Sequence, residues 1–404
     1  MNKYILFLFI VLIFVVTNIN TQWFLQNSGT PNNLSSVYFV NENTGWAVGD
    51  IGTIRYTTNG GINWVAQTGP SALLSVYFIN TATGWAAGPG GVITSTTNGG
   101  LNWISQTSGV STTLRAILFL NSATGFAVGD GGVIRYTTNS GVSWLPRSSN
   151  TSSTLFCIHF QGLSTGWIGG SDGTILKTSN TGSNWSGQTT NTTSPVYSLN
   201  FTNENTGWAV GYQGLIRYTT NGGTNWMNQT SPNSSWLYSV QFINSFTGFA
   251  SGSTGTILRT TNSGTNWLQQ ITGIGDNMYG LHFPSPLTGY SVGTTGRIIK
   301  TSNGGLTIIE PLGNEMPADF SLKQNYPNPF NPTTNIEFQI ADFSHVNLIV
   351  YDAIGRVVET LVNGELKPGI YKADWNATDF PGGVYFYKLS AAEFTQTKKM
   401  ILIK

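Results

Sequence analysis

The side chains able to do acid–base or metal chemistry in this chain are few and far apart. Before residue 310 the only carboxylates are Glu42, Asp50, Asp130, Asp172, Glu204 and Asp276. Hydrolysis of a glycosidic bond asks for two carboxyl groups about 5–9.5 Å apart, or a tyrosine nucleophile with acidic helpers. Asp50, Asp130 and Asp172 instead each sit inside a Gly-x-x-Gly phrase, where aspartate is an ordinary turn former. Glu42 and Glu204 occupy equivalent positions ahead of Thr-Gly, which suggests a repeated structural role. His159 and His282 fall in strand-like runs and read as packing rather than as bases or ligands. Cys157, the sole cysteine, excludes an intramolecular disulfide and, between Phe156 and Ile158, reads as a small buried apolar residue. No metal-ligand spacing and no phosphate-binding loop occurs. The reading is therefore a chain without catalytic residues, metal or cofactor.

The elements that carry these residues repeat. Trp64, Trp103, Trp144, Trp185, Trp226 and Trp267 recur at intervals of 39, 41, 41, 41 and 41 residues, each closing a phrase first met as Thr57-Thr58-Asn59-Gly60-Gly61-Ile62-Asn63-Trp64. Thr-Gly-aromatic occurs seven times, from Thr44-Gly45-Trp46 to Thr288-Gly289-Tyr290. A period of this length sustained over most of a chain means one supersecondary unit copied and stacked. Each unit holds four short runs rich in Val, Ile, Thr and aromatics, punctuated by Gly and Asn, and no spacing of 3.6 persists. Four strands in seven units predict a seven-bladed β-propeller. The seventh copy lacks its tryptophan, whereas Trp23 lies 41 residues before Trp64. The array is cut out of phase, so the strand at Trp23 is expected to complete the last blade and close the ring. In Gly-x-x-Gly, from Gly49 to Gly52 through Gly293 to Gly296, glycine is expected to supply positive φ. The Thr hydroxyl and Asn amide of the tryptophan phrase are expected to brace its turn.

Ligand contacts are expected where the copies differ. The loops between blades, on the Gly-x-x-Gly face, carry Arg115, Arg147, Trp236, Tyr238, Asp276, Met278 and Tyr279, and Tyr212 stands in an unusual turn. Exposed aromatics there suit stacking on a sugar or a protein partner.

The two ends differ from the middle. Lys3 followed by the apolar run Ile5 to Val16 and small polar residues predicts a signal peptide over 1–21. That run would span about 18 Å as a helix, short of a bilayer core of about 30 Å, so no transmembrane span is expected in the mature form. Only 9% of residues are charged and the net charge is +1, which leaves no footprint for nucleic acid. Residues 319–404 nevertheless hold 8 of the 18 Lys and Arg and 9 of the 17 Asp and Glu. With the prolines from Pro311 to Pro332, this marks a boundary: propeller 22–309, linker 310–319 and a second domain 320–404.

Two resemblances add to this reading. Ser/Thr-x-Asp-x-Gly-x-x-Trp is the Asp-box of bacterial neuraminidase-type repeats, here with Asn for Asp. With Thr-Gly-Trp-Ala-Val-Gly it resembles the propeller of photosystem II assembly/stability factors. That resemblance implies a scaffold with a basic patch for its partner, yet Arg55, Arg135 and Arg217 share one strand position whereas Lys177, Arg259 and Lys300 occupy its neighbour. The sialidase resemblance implies three converging arginines, and a secreted glycoside hydrolase is the alternative function.

The second domain is sharper. Its opening Asn325-Tyr326-Pro327-Asn328-Pro329-Phe330-Asn331-Pro332, the strand Val346–Asp352 and the close Lys398–Lys404 are similar to the C-terminal sorting domain of the type IX secretion system. By its own patterning it is a small immunoglobulin-like β-sandwich of about seven strands. The resemblance implies passage through the type IX machinery, by way of residues 320–404, to the surface of a diderm bacterium or beyond. The expectation for the whole chain is an exported, non-catalytic binding or scaffold module with an unknown surface protein or glycan as partner.

Overall fold

The computed structural model describes residues 22–305, 316–377 and 380–403. The expected signal peptide and residues 310–315 of the linker lie outside the described residues.

Short β-rich runs separated by glycine turns fold as seven four-stranded antiparallel sheets between Phe24 and Thr301. In the first blade the strands are Leu34–Phe39, Gly45–Gly49, Thr53–Thr57 and Val65–Thr68, in that order. The innermost strands follow one another around a ring, and Met278–His282 of the seventh blade lies against Leu34–Phe39 of the first. The chain thus forms a closed propeller. Its last sheet takes its outer strand from the N-terminus, with Phe24 opposite Lys300 and Gln26 opposite Ile298. Trp23 is buried edge-on against Phe283, 5.8 Å between ring centroids, as Trp64 stands against Phe39 at 5.8 Å in the first blade.

Two ladders hold blade to blade. The aromatic after each Thr-Gly stacks on a phenylalanine of the next blade: Trp46 on Phe78 at 3.5 Å, Trp208 on Phe242 at 3.4 Å and, across the closing seam, Tyr290 on Phe39 at 3.8 Å. Where that aromatic is tryptophan its Nε1–H also donates to the next blade's turn, as Trp46 does to the Gly99 carbonyl at 3.0 Å. Tyr290 does the same to Gly60 at 2.9 Å. The preceding glycine is required sterically, because a Cβ on Gly45 would lie 2.5 Å from the Phe39 ring.

The second ladder is polar and deals with a liability of the ring, the unpaired inner edges of the innermost strands. Ser36 accepts from the Val76 amide, Ser75 from Ile117 and Ser198 from Val240. Two positions further along, Asn200 accepts from Phe242, His282 from Phe39, and Gln241 bonds both amide and carbonyl of Phe283. His159 bonds the Phe201 carbonyl at 3.2 Å. Burial lowers both His159 and His282 to about 4, so these rings are neutral ties between blades at physiological pH. Cys157 occupies the serine position of the fourth blade, and burial pushes its thiol up to about 12, which makes it inert.

The tryptophan-phrase turns are braced as expected. Thr57 Oγ1 accepts from Asn59 and Gly61, and Asn59 Oδ1 from Asn63, a pattern repeated through Thr260, Asn262 and Asn266. The Gly-x-x-Gly turns differ from expectation in one respect. The second glycine has positive φ, 70° at Gly52, but the first is extended, −170° at Gly49. Gly49 is needed for space, since a Cβ there would collide with the Asn33 carbonyl.

The C-terminal domain is a sandwich of a three-stranded and a four-stranded sheet, with Thr333–Ile340 and Ser344–Asp352 central to them. Alternate residues Ile336, Phe338, Val346, Leu348, Tyr387 and Leu389 fill its core. The Asn325–Pro332 segment is tied into it. Asn325 is buried, its amide donating to Tyr387 Oη at 2.8 Å, and Phe330 bridges alongside the final strand. One buried ion pair, Arg259 Nη1 to Glu359 Oε1 at 2.9 Å, joins the propeller to this domain, with Leu268 packed against the sandwich core.

Candidate binding site

At the Gly-x-x-Gly end of the innermost strands, the seven copies place Ser35, Leu74, Arg115, Phe156, Tyr197, Tyr238 and Tyr279 at one repeat position. The last four are aromatic and stand in consecutive blades. Their rings touch in series, with centroids 5.2 Å apart from Phe156 to Tyr197, 5.8 Å to Tyr238 and 5.1 Å to Tyr279. The result is a curved aromatic wall around just over half of the rim. No blade needs it for packing, since serine and leucine serve in the first two copies. Trp236 widens it, 6.5 Å from Tyr238 and tilted against Tyr212 of the neighbouring turn at 4.8 Å. Trp236 is 41% exposed and the four arc rings are half-buried.

The charges around the wall are matched internally. Arg115 lies 5.3 Å over the Phe156 ring and pairs with Asp130 of its own blade. Asp276 accepts from Arg297 Nε at 2.6 Å and Thr295 Oγ1 at 2.8 Å. Although desolvation pushes its pKa up, these bonds hold Asp276 below the usual carboxylate range. Asp172 is bonded by Ser153 and Ser171, and Asp50 by Asn33. Each propeller carboxylate on this face is thus engaged locally. Among the described residues no group of three or more His, Cys, Asp or Glu is placed to hold a metal.

The residues singled out from sequence divide accordingly. Tyr238, Tyr279, Trp236 and Tyr212 come together in the wall, and Arg115 ends it. Arg147 lies apart in the outer strand Leu145–Arg147, 4.5 Å over the Tyr136 ring, and Met278 is fully buried in the blade core. Arg147 ends an outer strand, and Arg115, Tyr238, Met278 and Tyr279 lie on innermost strands rather than in the inter-blade loops, because those strands begin two residues earlier than their apolar runs suggest. A bulge between Leu34 and Ser36, repeated in other blades, hides that start from the alternation. Phe156 and Tyr197 were missed, yet their signal is the 41-residue spacing that leads to Tyr238 and Tyr279.

The repeated basic residues do not form a patch. Arg55, Arg135 and Arg217 each donate to a loop carbonyl, of Gly29, Gly109 and Asn191. Lys300 donates to Gly60, Lys177 lies over Trp167, and Arg259 is buried against Glu359.

Comparison with known families bears on both domains. Residues 324–404 match the model of the secretion system C-terminal sorting domain over the segment just described as a sandwich. The second domain is a sorting domain of that family. It directs type IX-dependent export, so the protein is secreted or displayed at the cell surface. Ahead of it, residues 136–231 and 183–273 match the photosynthesis system II assembly factor YCF48. A solved YCF48 bound to D1 peptide is 21% identical, covers 70% of this chain and 97% of its own, and has a TM-score of 0.61. YCF48 from Cyanidioschyzon merolae is 19% identical, with 69% and 98% covered and a TM-score of 0.59. PorZ, a surface component of the type IX secretion system of Porphyromonas gingivalis, is 12% identical with a TM-score of 0.56; it covers 92% of this chain, which spans 60% of PorZ. At these identities the likeness is one of fold. No curated protein sequence matches the chain. Among the described residues no helix is long and apolar enough to cross a membrane.

Proposed function

We propose that this exported propeller is a non-catalytic binding module that engages a partner at the cell surface through the aromatic wall, with the sorting domain as its means of delivery. The observation that carries this reading is the run of Phe156, Tyr197, Tyr238 and Tyr279, with Trp236 beside it. Aromatic side chains kept half-exposed in one contiguous surface are what recognition uses, and the fold itself has no need of them here. The local pairing of Asp130 and Asp276, and the turn roles of Asp50 and Asp172, favour binding over hydrolysis. YCF48, of like fold, has been solved with a peptide bound, which supports a recognition role for such a ring.

The purified protein is expected to release no product from a panel of aryl glycosides and sialosides. Turnover that disappears in Asp130→Asn or Asp276→Asn would establish the glycoside hydrolase alternative instead. Deleting residues 320–404 is expected to retain the propeller in the periplasm, read by fractionation; unchanged export would detach delivery from the sorting domain.

A further inference from the structure

We infer that the ligand of the aromatic wall is a neutral glycan; this rests on the binding role proposed above. Three features of the wall select the class. First, the charges beside it are already compensated: Arg115 by Asp130, and Asp276 by Arg297. A charged ligand would have to displace one of these partners, whereas a neutral one leaves both pairs intact.

Second, the wall offers apolar faces and hydroxyls together. The hydroxyls of Tyr197, Tyr212, Tyr238 and Tyr279 have no hydrogen-bond partner within the chain among the described residues, in contrast to that of Tyr290, which is bonded to Gly60. Desolvation and neighbouring tyrosines raise the pKa of Tyr197 and Tyr238, so these phenols stay neutral and keep a proton to donate. A sugar ring presents C–H groups on its face and hydroxyls at its edge, which this surface matches atom type for atom type.

Third, the backbone does not favour an extended peptide. Strand addition needs free amides and carbonyls at an edge. Along the innermost strands beside the wall those groups are bonded by Ser198, Asn200 and Gln241. A proline-rich rod needs no edge, but it is straight, and the wall follows the rim through four blades. A glycan chain whose linkages turn it can follow that curve.

The test is affinity electrophoresis of the full chain in gels containing soluble β-glucan, mannan, xylan or galactan, with poly-L-proline as the peptide probe. Retardation is expected in at least one polysaccharide and not in poly-L-proline. Tyr238→Ala and Trp236→Ala are expected to weaken it about tenfold or more, the effect of removing a recognition hot spot. Tyr238→Phe, which keeps the ring and removes the hydroxyl, should retain part of the affinity. Thermal melting of each variant separates loss of binding from loss of fold. No retardation in any of the four polysaccharides overturns the inference, as does retardation that survives Tyr238→Ala and Trp236→Ala in properly folded protein. Retardation by poly-L-proline that those variants abolish would leave the wall a binding site and refute the glycan class alone.

Discussion

Replacing Trp23 with alanine is expected to destabilise the propeller by about 3–5 kcal/mol, the range for truncating a large buried aromatic. Trp23 lies one 41-residue period ahead of Trp64 and, because the array is cut out of phase, supplies the tryptophan that the seventh copy lacks. It is buried against Phe283 and Phe249 and immediately precedes the strand Phe24–Gln26, which pairs with Ile298, Ile299 and Lys300. Its loss leaves a void and loosens the one sheet assembled from both ends of the array. Gln22 ties the same N-terminal segment to the sixth blade, its amide donating to the Ile271 carbonyl at 3.1 Å and its side chain accepting from the Ile271 amide at 2.8 Å. A melting temperature lowered by roughly 2–4 °C per kcal/mol is expected. Leu25→Ala, an exposed residue in the same strand, serves as the control and should melt nearly as wild type. Equal melting of the two variants would refute the closing role assigned to Trp23.

The second large effect lies between the domains. Arg259→Ala leaves Glu359 buried without its partner, which is expected to cost about 3–5 kcal/mol and to appear as release of the sorting domain from the propeller. Limited proteolysis between the domains and small-angle scattering read this directly. The double variant Arg259→Met with Glu359→Leu is expected to stay docked, because an apolar pair avoids the desolvation of two charges. The contact is also pH-dependent. Burial raises Glu359 to about 7, against the pull of Arg259. A carboxyl whose pKa is higher when docked than when released binds its proton more tightly in the docked state. Docking is therefore strongest below the ordinary glutamate pKa of 4.5 and weakens as pH rises through about 7. Glu359→Gln should abolish that dependence, and pH-independent docking of the wild type between about 5 and 8 would contradict the assignment.

Much of the architecture was legible because a repeat multiplies weak signals. One Thr-Gly-aromatic phrase is uninformative, but seven at a recurrent spacing reveal a position where the Phe39-type ring leaves room only for glycine. The wall was half legible for the same reason. Tyr238 and Tyr279 stand out as aromatics in segments where the copies differ, whereas Phe156 and Tyr197 require the copies to be compared at one repeat position. The bulge ahead of Ser36 shifts the apparent strand start, so residues on strands looked like loop residues. Met278 could not be separated from its neighbours Asp276 and Tyr279, because the side of the strand a residue faces changes at such a bulge. Nothing in the chain announces the Arg259–Glu359 pair. Its members belong to different domains, and neither the period nor local charge patterning connects them.

The polar clasps between innermost strands have an evolutionary consequence. Except between the third and fourth blades, where Ala116 and Leu118 stand at the clasp positions, each blade meets the next through polar side chains at recurrent positions, so a neighbour is recognised by type rather than by individual identity. Recombination between copies that adds or removes one whole 41-residue unit would regenerate every junction it touches, provided the terminal units stay in place. Copy number in such a molecule can drift by unequal crossing-over, while the out-of-phase ends preserve the lock that admits only complete circles.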